Sequence, residues 1–160
     1  MSFIPNPALD LVLERTIPVT PDKVWAAWTQ PELIVQWFTP APWKTAKAEI
    51  DLRPGGGNVI TMESPEGEQY PNKGCYLQVE HERLLVFTSV MGADFRPVAP
   101  TNGADGLPFT ARIEIEPADG GTHYRAVAMH ADEAAATRHA EMGFQDGWGA
   151  ALDQLVALMS

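Results

Sequence analysis

The amino-acid sequence predicts an α+β fold in which a curved antiparallel sheet of about seven strands packs against a long C-terminal helix. Three observations support this prediction. A strand-like segment opens the chain, six more follow with mostly short polar or glycine-rich turns among them, and the last ~27 residues have helical periodicity. With 160 residues, 45% of them hydrophobic, the chain is predicted to be one domain over 1–160, with its core in about 9–159.

The first predicted strand covers residues 9–17, where leucines alternate with other side chains, and Pro18 ends it. Two short helices are expected next, because Thr20 can cap a helix that has Pro21 at its first position and Pro31 repeats that start signal. Apolar residues at helical spacing in these two segments are Val24, Trp25, Trp28, Leu33, Ile34, Trp37 and Phe38.

The remaining strands are separated by turn residues. They are predicted at 46–52, 58–63, 72–79, 83–90, 109–116 and 122–129. The links at 54–57, 65–67 and 80–82 are short, which favours antiparallel neighbours. Residues 92–107 contain glycine and proline with little periodicity, and we expect a loop there near the mouth of a cavity.

The C-terminal segment is predicted to be one continuous helix that Asp132 caps and that crosses the whole sheet. Rotation by 100° per residue brings one set of side chains onto a single stripe. The stripe consists of Thr137, Glu141, Phe144, Trp148, Leu152, Leu155 and Met159.

Charge and cysteine content narrow the range of partners. The formal net charge is −10 and the basic residues are scattered, so neither nucleic acid nor an anionic membrane is an expected partner. Cys75 is the only cysteine, which excludes an internal disulfide. The N-terminus lacks the pattern of a secretion signal, and we expect a cytoplasmic protein.

A helix lying across a bent sheet is expected to leave an apolar gap near its middle, where a small molecule can bind. The predicted wall residues are Tyr76, Phe87, Phe109, Tyr124, Phe144 and Trp148. Trp37 and Phe38, together with Trp43, are predicted to form a lid at one end. The alternative is that these aromatic side chains fill an ordinary core.

Two ionisable residues are predicted to face inward. Glu141 lies in the helix stripe, and His130 continues the alternation of the last strand. Burial raises the pKa of a carboxyl group toward neutrality, so the two are candidates for an acid and base pair. The alternative is a solvated or structural ion pair. His139 and His123 are weaker candidates, and no metal-binding spacing or cofactor motif is found, so neither a metal nor a cofactor is predicted.

Several phrases resemble one bacterial protein family. They are VWAAWTQPEL at 24–33, WF at 37–38, DLRPGG at 51–56, GCYLQV at 74–79, RLLVFT at 83–88 and EMGFQDGW at 141–148. Together they are similar to the SRPBCC/START-like superfamily, in its group named after the activator of the Hsp90 ATPase. The resemblance implies the helix-grip fold, which is also that of the birch-pollen allergen.

The function expected from residues and resemblance together is binding of a small apolar, aromatic or lipid-like molecule between sheet and helix. Tyr76, Tyr124, His130 and Glu141 would supply its polar contacts. One alternative is a cofactor-free cyclase or hydrolase that uses Glu141 and His130 as acid and base. Another is a chaperone-associated interaction module. The edges of an open sheet also permit a homodimer.

Overall fold

The computed structural model describes residues 3–99 and 107–160. Nine strands occur within these ranges: β1 (Asp10–Ile17), β2 (Lys44–Ile50), β3 (Gly57–Glu63), β4 (Gln69–Glu80), β5 (Leu84–Thr88), β6 (Met91–Gly92), β7 (Arg96–Pro97), β8 (Thr110–Ala118) and β9 (Gly121–Met129). Four α-helices occur as well: α1 (Pro21–Thr29), α2 (Pro31–Ile34), α3 (Glu133–Glu141) and α4 (Phe144–Met159).

Seven strands form one antiparallel sheet in the order β1-β9-β8-β5-β4-β3-β2. The first strand pairs with the last along its whole length, from Asp10 opposite Met129 to Ile17 opposite Thr122. The links from β2 to β3, β3 to β4, β4 to β5 and β8 to β9 are short, as the turn residues predicted. The predicted fold class is therefore confirmed, and each predicted strand of the sheet is present with ends that differ by a few residues.

The glycine-rich turn before β3 does more than reverse the chain. Gly55 has φ +84, and a Cβ atom there would lie 2.8 Å from a ring carbon of Phe95. The small β6–β7 hairpin packs on this turn, and its Asp94 amide donates a 2.7 Å hydrogen bond to the Gly55 carbonyl. The segment 92–107, predicted as a loop, thus begins within a hairpin, while 100–106 lie outside the described residues.

The predicted single C-terminal helix is wrong, because the chain forms two helices. Gly143 lies between them in the left-handed region with φ +96, and such a residue ends α-helical hydrogen bonding. Asp132 does cap α3, since its side chain accepts a hydrogen bond of 2.8 Å from the Ala135 amide. Because the helix is interrupted, the 100° rotation per residue does not continue from α4 into α3. The stripe of α4 therefore does not show which residues of α3 face the sheet.

Helices α1 and α4 pack on one face of the sheet, and the hydrophobic core lies between these helices and the sheet. In α4 the predicted stripe is buried at Phe144, Leu152 and Leu155. In α3 the buried residues are Ala136 and His139, whereas the predicted stripe residues of that helix are exposed. Helix α2 ends at Ile34, so the predicted second helix stops before Trp37 and Phe38.

Candidate functional site

A small cavity lies between helices α1 and α2 and the middle strands of the sheet. Its volume is about 10 Å³, which is about the space that one water molecule needs. We call this region the cavity end, and its lining residues are Trp28, Ile34, Asn58, Ile60, Tyr76, Leu85 and Phe87. Tyr76 and Phe87, two of the predicted wall residues, thus meet at this cavity.

Two polar side chains line the cavity without a partner among the described residues. Asn58 on β3 is 8% exposed and Tyr76 on β4 is 3% exposed. Neither the Asn58 amide nor the Tyr76 hydroxyl hydrogen-bonds to another described residue. Burial raises the pKa of Tyr76, which keeps the hydroxyl protonated and able to donate. Asn58 was missed by the sequence reasoning, although its alternation with Ile60 on β3 is the signal that identifies it as inward-facing.

The wall of the cavity end is built from aromatic contacts around Trp28, which are edge-to-face with Trp37 and Phe38 and tilted with Phe87. Its indole ring lies 4.9 Å from Trp37, 6.0 Å from Phe38 and 5.8 Å from Phe87, measured between ring centroids. The Trp28 Nε1 donates a 3.2 Å hydrogen bond to the Tyr124 hydroxyl, whose pKa burial raises. Tyr124 is therefore already engaged with the protein. Trp28 was not among the predicted wall residues, although it contacts three other aromatic side chains of this region.

The predicted lid residues separate into two groups. Trp37 is buried and donates to the Ala27 carbonyl at 2.9 Å, whereas Trp43 is half-exposed and faces Tyr70 at 5.6 Å between ring centroids. The segment that follows Trp37 is held to α4 by one side chain, Gln154. Its amide group makes three hydrogen bonds to backbone atoms, which are the Trp37 carbonyl at 2.7 Å, the Thr39 carbonyl at 3.0 Å and the Ala41 amide at 3.0 Å.

Four of the other predicted residues meet in a second group, which is built around two histidines. His130 follows β9 and His139 lies on α3, and their imidazoles are joined by a 2.8 Å contact from Nε2 of His130 to Nδ1 of His139. Both side chains are buried, with exposed fractions of 7% and 8%. Three aromatic rings surround His139, which lies 5.1 Å from Phe109, 5.4 Å from Phe144 and 6.1 Å from Trp148. We call these five residues the histidine cluster.

The predicted pairing of His130 with Glu141 is wrong, because Glu141 is exposed on α3. Its inward position was inferred from a helix assumed to be continuous, and the break at Gly143 removes that basis. His139, placed beside the stripe by the same reasoning, is instead the residue that faces His130. Burial in the first place, and the neighbouring His130 in the second, lower the pKa of His139 to about 4.

The structure thus brings the predicted site residues together in two groups. Trp37, Phe38, Tyr76, Phe87 and Tyr124 are at or beside the cavity end. Phe109, His130, Phe144 and Trp148 are in the histidine cluster. Only Glu141 is apart from both. Among the described residues, no group of three His, Cys, Asp or Glu side chains is arranged to hold a metal ion.

Comparison with known proteins identifies the family. The family model described as activator of Hsp90 ATPase homolog 1-like protein matches residues 18–160. The chain belongs to this family. The resemblance seen in the sequence is thereby confirmed, and the fold is one whose members commonly bind hydrophobic ligands. No curated protein matches the sequence.

Solved structures of similar proteins agree with this assignment. Protein NE0264 from Nitrosomonas europaea is 41% identical with a TM-score of 0.89, covering 96% of this chain and 95% of that one. Protein Ms6760 from Mycobacterium smegmatis is 24% identical with a TM-score of 0.74, covering 96% and 91%. An AHSA1-like protein from Aeromonas hydrophila is 20% identical with a TM-score of 0.67, covering 93% and 90%. The last two show the fold alone.

Within the two described ranges, no helix of this AHSA1-like chain is both long and apolar enough to cross a membrane.

Proposed function

We propose that the protein binds a small apolar or aromatic molecule at the cavity end. The observation that carries the proposal is the pair of uncommitted polar groups of Asn58 and Tyr76 beside an apolar cavity. A hydrogen bond between such a group and a ligand contributes about 0.5–1.5 kcal/mol. The lining residues are otherwise apolar, which is the composition of most small-molecule sites.

The chemistry of the lining defines the ligand. None of the lining residues is charged, so the ligand is neutral where it contacts them. The Tyr76 hydroxyl and the Asn58 amide can both donate, which suits a ligand with a carbonyl or ether oxygen. Trp28 and Phe87 present rings that pack against a flat apolar body. An aromatic ketone or an acyl compound meets all three conditions.

Binding requires that the cavity open, because about 10 Å³ does not admit a molecule larger than water. Phe38 and Phe87 are partly exposed and stand where the interior reaches the surface. The segment after Trp37 is held to α4 chiefly by Gln154, so release of that amide frees it. We infer that a ligand enters by displacing these side chains and this segment.

The proposed acid and base pair of Glu141 and His130 is not carried further, because Glu141 is exposed. Among the four polar contacts expected from the sequence, Tyr124 is engaged with Trp28 and His130 with His139. In this proposal Tyr76 supplies one polar contact to the ligand and Asn58 supplies the other.

A thermal-shift series tests the proposal, with acetophenone as the aromatic ketone and native mass spectrometry of fresh protein as a search for a co-purified guest. We expect acetophenone to raise the melting temperature in a concentration-dependent way. The Tyr76→Phe and Asn58→Leu changes should weaken this stabilisation about tenfold in apparent affinity when combined. Tyr70→Phe is the matched control, because Tyr70 is exposed and away from the cavity.

A second candidate function is an interaction module that binds a partner protein. The observation that favours it is the exposed aromatic pair of Trp43 and Tyr70, which are 39% and 47% exposed. Solvent-exposed aromatic rings are enriched where proteins associate. A protein without a guest that neither ketones nor acyl compounds stabilise would favour this candidate over ligand binding.

A further inference from the structure

The two edge strands of the seven-stranded sheet, β1 and β2, differ in what covers them. Helix α4 lies beside the edge of β1. There the Gln145 side-chain amide donates a 2.8 Å hydrogen bond to the Val12 carbonyl, and Arg15 forms an ion pair with Asp153. A helix that covers a strand edge keeps it from pairing with another chain. The edge of β1 is therefore closed to a partner.

The edge of β2 is open. The Asp51 amide, directly after this strand, donates a 3.0 Å hydrogen bond to the Gly57 carbonyl of β3. Backbone groups of alternate residues in a strand point the same way, so those of Ala48 and Ile50 point away from β3. In the described part of the chain, no residue hydrogen-bonds to these outward groups. Strand β2 thus presents N–H and C=O groups that a further strand can pair with.

Two charged side chains lie on the outer face of β2. Lys44, at the start of the strand, is paired with Glu63, but neither Lys47 nor Glu49 forms an ion pair with a described residue, and both are exposed. A lysine on an edge strand opposes pairing with an arbitrary strand. A partner strand that offers a carboxylate opposite Lys47 and an ammonium group opposite Glu49 is favoured instead.

A second copy of the chain has this complementary pattern when it runs antiparallel. In a register centred on Lys47, two ammonium groups lie opposite each other, and in one centred on Glu49 two carboxylates do. In the register centred on Ala48, Lys47 of each copy lies opposite Glu49 of the other. This is a non-hydrogen-bonded pair, in which opposite side chains are closest. The charges therefore select the register centred on Ala48.

We propose that the protein forms a homodimer in which β2 pairs antiparallel with β2 of a second copy, centred on Ala48. The amide and carbonyl of Ala48 exchange two hydrogen bonds with those of the second copy across the twofold axis. The same symmetry brings Trp43, just before β2, near Leu52 of the second copy. These side chains are 39% and 37% exposed, so apolar contacts flank the paired strands. The proposal does not rest on ligand binding at the cavity end.

Sedimentation velocity at protein concentrations from about 5 to about 500 µM tests for the dimer. A β-bulge between Thr45 and Lys47 keeps the paired segment short. The interface is therefore small for a stable assembly, and we expect a dissociation constant in the micromolar range. A protein that stays monomeric over the whole range overturns the proposal.

Two charge reversals test the register. Lys47→Glu sets two carboxylates opposite each other and Glu49→Lys sets two ammonium groups opposite each other, so each should raise the dissociation constant at least about tenfold. An equimolar mixture of the two variants restores both pairs of opposite charge and should form a heterodimer about as tightly as wild type. A mixture that stays monomeric contradicts the register. Lys73→Glu, at an exposed position on β4, changes the net charge equally and should leave dimerisation unchanged.

Amide hydrogen exchange measured by NMR identifies the surface that pairs. The amides of Ala48 and Ile50 should exchange quickly in dilute protein and severalfold more slowly at concentrations that favour the dimer. The Glu49 amide points toward β3, so it should be protected at both concentrations and serves as the internal control. A dimer that forms without slower exchange at Ala48 and Ile50 uses another surface and refutes the proposal.

A proline at the centre of the pairing separates the dimer from the fold. Ala48→Pro removes an amide that does not bond to β3, and an edge strand accepts proline at such a position, so the monomer should keep its fold. Dimerisation should be lost, and a folded variant that dimerises like wild type contradicts the proposal. Tyr76→Phe, which tests the cavity end, should leave the dissociation constant unchanged, so failure of one proposal is distinguishable from failure of the other.

Discussion

The cavity end and the histidine cluster have similar packing but are expected to respond differently to pH. Each places polar side chains that are almost fully buried among aromatic rings. At the cavity end these side chains are Asn58 and Tyr76, which stay neutral at any physiological pH. In the histidine cluster they are imidazoles, which can take up a proton. Although the packing is similar, we therefore expect ligand binding at the cavity end to be independent of pH. In the histidine cluster we expect the contribution to the free energy of unfolding to depend on pH.

The largest expected effect is at the cavity end, where Trp28 holds several aromatic side chains together. Trp28→Ala removes the contacts to Trp37 and Phe38 and the hydrogen bond to Tyr124, and it leaves a large cavity. We expect the free energy of unfolding to fall by about 3–5 kcal/mol. Urea denaturation measures it. Trp43→Ala, at an exposed tryptophan, should cost under about 1 kcal/mol, and equal costs would contradict this account of the core.

A pH effect is expected in the histidine cluster. In the unfolded chain a histidine has a pKa of about 6.5, and in the folded protein the pKa of His139 is lowered to about 4. Between these values the unfolded state binds the extra proton. The stability that neutral His139 contributes is thus present above about pH 6.5 and is lost as the pH falls toward 4. The expected loss is about 1–3 kcal/mol.

Denaturation of wild type and His139→Asn across this pH range measures the effect by difference, which cancels the titration of the carboxylates. His130 is the titratable side chain in contact with His139, and it is present in both proteins. His123→Asn serves as control, because His123 is partly exposed. Parallel stability curves for wild type and His139→Asn would show that His139 does not titrate differently in the folded protein.

A smaller effect tests the break that positions His139. Gly143→Ala forces a Cβ atom into left-handed backbone and should cost about 1–2 kcal/mol. Gly147→Ala lies inside α4, where a Cβ atom meets nothing within 4 Å, and should stabilise by about 0.5–1 kcal/mol. Thermal unfolding compares the two. Opposite signs are expected, and a stabilising Gly143→Ala would mean that a continuous helix is accessible.

The smallest expected effect on stability is Asn58→Leu. This change removes an unpartnered amide and adds apolar volume beside the cavity, so its gain and its crowding nearly cancel. We expect the free energy of unfolding to stay within about 1 kcal/mol of wild type, measured in urea. A loss of several kcal/mol would show that the Asn58 amide is already satisfied within the protein.

Local patterns predicted the sheet well. Alternation identified each of its seven strands, because alternating side chains face opposite sides of a sheet wherever a strand occurs. Turn composition gave the antiparallel neighbours, and Asp132 was recognised as a cap. These features depend on a few adjacent residues, so they can be read without knowledge of the remaining structure.

The histidine cluster could not be predicted by the same means. The face that His139 presents depends on where α3 ends, and a helix pattern carried through Gly143 assigns the wrong face. A glycine inside an apolar periodic segment does not by itself reveal whether the helix continues. Because the helix breaks at Gly143, His139 faces the interior and Glu141 faces the solvent.

By itself, the sequence determined the fold class, the family and the apolar stripe of α4, because these follow from patterns along the chain. The tertiary structure decided which polar groups find partners. Tyr124 is engaged by Trp28 while Tyr76 is left beside Asn58, and His130 is joined to His139 rather than to Glu141. Such pairings depend on distances of about 3 Å between residues far apart in the chain, and only the packed arrangement of helices on the sheet sets those distances.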